Sequence, residues 1–137
     1  MIRAMPLDAT VVGRWIEGYF DAFAACARGQ GDMALLLGHF GVPMVVTSDE
    51  GVVTLMTDDE AAAVMQSQVD VLRALGFDHS EVLNSEVIVL NAASALYRAT
   101  LSRRNGDGGE IDCPTITYLM TDDVAGPRIV LLAAHSR

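Results

Sequence analysis

The second half of the chain leaves the fewest choices of fold. From His79 onward, four β-rich stretches at residues 81–90, 95–103, 111–120 and 128–135 follow one another with only short connections. Strands joined so briefly pair antiparallel, because a parallel return needs a crossover of a dozen or more residues. The connectors carry turn chemistry: Asn91-Ala92-Ala93, Asn105-Gly106-Asp107-Gly108-Gly109, and Asp122 through the Gly126-Pro127 pair. Residues 81 to 135 therefore read as a four-stranded meander.

Upstream the period changes from two to 3.6. Val12, Ile16, Tyr19, Phe20, Phe23 and Ala27 recur at helical spacing, with Trp15 beside them. Asp8 or Thr10 is the expected cap, and Gly29-Gln30-Gly31 the stop. Asp32 caps a short apolar helix over 33–37, which needs neighbours because a helix of that length is unstable alone. Residues 43–47 and 52–55 form a small hairpin around Ser48-Asp49-Glu50-Gly51. Thr57-Asp58-Asp59-Glu60 is a capping box opening a long helix to Leu75. Ala61, Met65, Val69 and Leu72 make its apolar stripe, and Gly76 closes it. The expected class is α+β, ordered α-α-β-β-α-β-β-β-β. No repeat, linker or low-complexity segment interrupts it, so a single domain over 1–137 is expected.

Composition narrows the function classes. Apolar residues are 51% of the 137, charged residues 20%, and the net charge is −9. That balance argues against nucleic acid and against anionic membrane surfaces, both of which call for basic patches. No apolar run approaches the ~20 residues of a membrane span, and no leader pattern is visible, so a cytoplasmic location is expected. Cys26 and Cys113, in an apolar helix and an expected strand, read as buried thiols. His39, His79 and His135 lie apart with no paired ligand spacing, so neither metal nor cofactor is expected. Gly106, Gly108 and Gly109 precede a strand without any lysine, which makes a hairpin turn and not a phosphate loop.

The order of elements is similar to that of the nuclear transport factor 2-like superfamily, which includes SnoaL-like polyketide cyclases and ketosteroid isomerases. The residues carrying the resemblance are Tyr19-Phe20-Asp21-Ala22-Phe23, Gly31-Asp32 with the stretch to Phe40, Tyr97-Arg98-Ala99-Thr100 leading into Asn105-Gly106-Asp107-Gly108, and Thr117-Tyr118-Leu119. The resemblance spans residues 11–135. It implies a cone in which the sheet curls around the long helix, enclosing an apolar pocket, with dimers formed through the outer sheet face. It also tests the isomerase chemistry. Tyr19 falls where the isomerase places an oxyanion-binding tyrosine. Ser48 falls at the proton-shuttling aspartate, with Asp49 one residue away, and Ile116 at the protonated aspartic acid. That reaction needs both carboxyl groups, and a serine hydroxyl without a base is too weakly basic to replace one. Ketosteroid isomerase activity is not expected.

Alternation in the meander, combined with the resemblance, turns Tyr97, Ala99 and Leu101 inward. It turns Asp112, Pro114, Ile116 and Tyr118 the same way, and on the last strand Ile129, Leu131, Ala133 and His135. The expected pocket is Trp15, Tyr19, Phe23, Phe40, Met44, Met65, Tyr97, Ile116, Tyr118, Leu131 and His135. Its polar tips suit a small apolar ligand. Each tyrosine also has a plain reading as a core residue with its hydroxyl satisfied, and His135 as an edge histidine. Three functions remain open: a SnoaL-like domain that binds a small apolar ligand; a cyclase-, dehydratase- or isomerase-type enzyme with His135 or Asp112 as acid/base and Tyr19 as donor; and a structural dimer module whose cavity is filled. On the outer sheet face Leu96, Arg98, Thr100, Thr115, Thr117 and Leu119 mix sizes and polarity as a homodimer interface does, with Arg98 able to pair with Glu86.

Overall fold

Local chemistry opens and closes each helix. In the computed structural model, which describes residues 7–136, α1 spans Ala9–Ala27, and its cap is Asp8, whose carboxylate accepts from the Val11 amide at 2.8 Å. It stops in a Schellman turn. The Gly29 amide donates to Cys26 O and the Gln30 amide to Ala25 O, both at 2.9 Å, with Gly29 at φ +78. Asp32 caps α2, Met33–Leu37, by accepting from the Ala34 amide at 2.9 Å. α3 spans Asp58–Ala74, and the Thr57 hydroxyl accepts from the Glu60 amide at 3.1 Å. The return arm of the box differs from expectation: the Glu60 carboxylate receives the Thr57 hydroxyl at 3.4 Å, not the backbone amide.

The strands are β1 (Phe40–Ser48), β2 (Gly51–Leu55), β3 (Phe77–Asn91), β4 (Ser94–Asn105), β5 (Glu110–Asp112), β6 (Thr115–Asp123) and β7 (Gly126–Ala134). One sheet carries all seven in the order β2-β1-β7-β6-β4-β3, with β5 on β4. The meander is present as read: β3 with β4, β4 with β6 and β6 with β7 are all antiparallel. Asn105 organises its tightest turn, accepting from the Asp107 and Gly109 amides while Gly108 takes φ +83. The sheet is curved and unclosed.

Three details depart from the sequence reading. The third meander strand is broken at Cys113-Pro114 into β5 and β6, which leaves Cys113 half-buried in the break. The sheet is mixed, because β1 runs parallel to β7. The β1–β2 hairpin docks on the free edge of the meander, and residues 49–125 between β1 and β7 form the long crossover that parallel pairing requires. Finally, β7 carries a bulge. Met120 faces Ile129 but Leu119 faces Leu131, so Val130 is an extra residue and the strand changes phase behind it. Ile129 points inward as expected, while Leu131, Ala133 and His135 turn outward and Leu132 and Ala134 take the inner positions.

The core fills the closed end of the cone. Val12, Ile16, Leu36, Met44, Met120 and Ile129 have no exposed surface there. Burying each such side chain stabilises the fold by about 1.5–3 kcal/mol. Tyr19 packs directly on Phe20, Phe40 and Tyr118, and Phe20 reaches Tyr97, with ring centroids between 5.5 and 6.0 Å and tilted or edge-on, the geometry aromatic quadrupoles favour.

Candidate functional site

Above that core the cone is hollow. A cavity of about 400 Å³ lies between α1, α3 and the inner sheet face, in the size range of small-molecule sites. Its inner wall is Tyr19, Met65, Leu101 and Ile116, all buried. Phe20 and Phe23 face Val46, Pro114 and Leu132 across it, and the exposed Ser48, Glu50, Val53 and Gln68 stand at its mouth.

The positions follow from local structure. Tyr19 and Phe23 are one helical turn apart on α1 and share a face. On α3, Val64 and Gln68 are the shoulder of the buried stripe through Met65. Val46 and Leu132 are directly paired across β1 and β7, and Ile116 pairs with Ala134 across β6 and β7.

Of the expected pocket, Tyr19, Phe23, Met65 and Ile116 line the cavity. Phe40, Met44, Tyr97 and Tyr118 are packed into the core beneath it. Trp15 is half-buried against His39, with ring centroids 5.1 Å apart. Leu131 and His135 are corrections, carried to the outer face by the β7 bulge. His135 Nε2 lies 2.6 Å from Thr117 Oγ1 there, in a shallow groove with Glu86, Ile88, Leu96 and Arg98. It is not placed to act in the cavity. Asp112 lies beside Arg103, its Oδ2 3.6 Å from the guanidinium, and its Oδ1 is buried without a hydrogen-bond partner among the described residues.

Two phenols meet at the boundary between core and cavity. The Tyr19 and Tyr118 hydroxyls share a hydrogen bond, which acts to lower the Tyr19 pKa and to raise that of Tyr118. Burial outweighs this at Tyr19 and pushes its pKa up to about 12. Burial also drives Tyr118 well above the usual tyrosine range, the neighbouring phenol adding to it. Both stay neutral at physiological pH. Cys26 is pushed up by burial and by the Asp32 carboxylate, which leaves it a thiol.

Arg103 is the cation of the cavity wall, and the sequence reading missed it. Its side chain is 14% exposed, and its Cζ lies 6.0 Å from the Phe23 ring centroid, at the limit of a cation–π contact. The signal was available: Tyr97, Ala99 and Leu101 face inward by alternation, and 103 is the next such position. At the isomerase-like positions stand the Ser48 hydroxyl, which accepts from the Glu50 amide at 3.1 Å, and the Ile116 side chain. Glu50 is the carboxylate among the described residues that line the cavity, and it sits exposed at the mouth. Among the described residues no three metal-ligating side chains cluster, and no helix is long and apolar enough to cross a membrane.

Residues 8–137 match the family described as NTF2-like protein (DUF6841). The chain belongs to that family. Solved structures agree on the NTF2-like fold. A protein of unknown function with a cystatin-like fold from Nostoc punctiforme superposes with a TM-score of 0.73 at 14% identity, covering 95% of this chain and 93% of that one. An NTF-2 like protein of unknown function from Shewanella oneidensis gives 0.69 at 13%, covering 95% and 100%. A candidate ketosteroid isomerase from Shewanella frigidimarina gives 0.70 at 11%, covering 93% and 96%. At such identities the likeness concerns the fold. No curated protein matches the sequence.

Proposed function

We propose that this NTF2-like protein binds a small, largely apolar molecule in the open end of its cone. The observation that carries the proposal is the cavity itself: about 400 Å³, walled by aromatic and aliphatic side chains, with a few polar groups converging on it. Well-packed cores do not leave such space, and apolar pockets with sparse polar contacts are the usual form of ligand sites. Leu132→Trp fills the cavity from β7 without touching the closed end. The variant should fold and lose binding of a neutral aromatic probe such as 2-naphthamide in calorimetry. Equal binding by wild type and variant would remove the cavity from the proposal.

We also propose a homodimer through the outer sheet face. Ile88 is exposed there beside the half-buried Leu96, Leu119 and Leu131. Arg98 bonds Glu86 at 2.9 Å within the same face, which leaves the apolar part of the surface with a neutralised charge pair. Sedimentation equilibrium at micromolar concentration should give twice the chain mass, and a monomer would sink this proposal.

A further inference from the structure

We propose that the cavity's ligand is a monocarboxylic acid with a flat apolar body, its carboxylate received by the Arg103 guanidinium. This rests on the ligand-binding reading above and names its chemical class. The first support is the state of Arg103. Among the described residues its one ion pair reaches a single oxygen of Asp112 at 3.6 Å, longer than the roughly 2.7–2.9 Å of a charge-assisted hydrogen bond. The second Asp112 oxygen is buried and has no hydrogen-bond partner among the described residues. A guanidinium presents five donors in a planar fork that fits a carboxylate with two parallel bonds. Here that fork lines the cavity and is incompletely used.

A second support comes from the rest of the wall. Tyr19 lines the cavity and burial keeps its phenol protonated, so that wall carries a neutral hydroxyl. The charge that acts on both phenols is that of Arg103. Glu50 lines the cavity too, but at its exposed mouth, where water screens it. The inner wall of the cavity thus offers a guanidinium and a neutral phenol. One negative charge fits it better than two or three. Among the described residues Arg103 is its one lining cation, the chain contains no lysine, and the net charge of −9 repels polyanions. Phe20 and Phe23 opposite Val46, Pro114 and Leu132 leave an apolar slot suited to one or two rings.

The test is calorimetry at neutral pH with three isosteric probes: 2-naphthoate, 2-naphthamide and 2-naphthylmethylammonium. Wild-type protein should bind naphthoate about tenfold or more tighter than naphthamide, as expected for hydrogen bonds to a charged group. Arg103→Gln should leave naphthamide binding within about twofold and erase the preference for naphthoate. Equal affinity of wild type for acid and amide, or tighter binding of the ammonium, overturns the carboxylate assignment while leaving the cavity as a binding site. Failure of all three probes to bind overturns both. If circular dichroism shows that Arg103→Gln does not fold, the order of the probes on the wild type decides alone.

Discussion

The closed and open ends of the cone are made from the same elements, yet one is solid and the other hollow. Along β4 the inward positions run Tyr97, Ala99, Leu101, Arg103; along β6 they run Met120, Tyr118, Ile116, with Pro114 before the strand. At one end of each strand the side chains meet those of α1 and β1 and exclude water. At the other they line the cavity, and the β4 row ends on the charged Arg103. The lesson is that core and cavity are consecutive stretches of the same inward-facing rows. Stability and ligand chemistry are therefore separable by position on the same strand.

The sharpest way to break that separation is to cut the solid end. Tyr118→Ala should cost about 3–5 kcal/mol, in line with large-to-small changes at buried aromatics. Val64→Ala, on the half-buried cavity wall, should cost less than about 1 kcal/mol. Urea denaturation of both variants checks this, and similar losses would mean that the two ends share one packing. A second probe is alkaline pH. Tyr19 has a folded pKa of about 12 against an ordinary value of 10.0, so the unfolded chain loses its proton first. The stabilisation from keeping the phenol neutral is complete below pH 10 and disappears as the pH rises through about 12. For a shift of this size it amounts to roughly 2–3 kcal/mol. Absorbance at 295 nm should show Tyr19 and Tyr118 ionising together with unfolding. Ionisation of both near pH 10 in a still-folded protein would show that water reaches the closed end.

The smallest effect belongs to the hollow end. Asp112→Asn removes the resident counter-ion of Arg103 and should tighten 2-naphthoate several-fold, an effect of about 1 kcal/mol. Binding of 2-naphthamide should not move. Weaker naphthoate binding would instead mean that Asp112 positions the guanidinium, and the two could be told apart by the affinity of Arg103→Lys, whose point charge lacks the fork.

Much of the fold was legible because its causes are local. Asp8, Asp32 and Thr57 cap helices where their side chains can reach free amides, and Gly29 and Gly76 end them at φ +78 and +77. The meander followed from turn chemistry and short connections. The candidate site was legible in part. Tyr19, Phe23, Met65 and Ile116, which period and alternation place on buried faces, line the cavity. Leu131 and His135 were misplaced by the bulge at Val130, a residue with no glycine or proline to announce an irregularity. Arg103 was passed over because the alternation that placed Tyr97 to Leu101 was not followed to the position where a charge replaces an apolar residue.

The order of elements, the helix ends, the hairpins and the inward face of β4 and β6 are properties of the sequence itself. Each depends on interactions between residues a few positions apart, and these have the same sign whatever the rest of the chain does. The parallel seating of β1 on β7, the phase change within β7 and the hollow above Tyr19 and Tyr118 belong to the assembled molecule. They depend on how edges meet and on how volumes sum across residues as distant as Val46 and Leu132. No local pattern records such a sum, because an unfilled space is a property of all the side chains around it together.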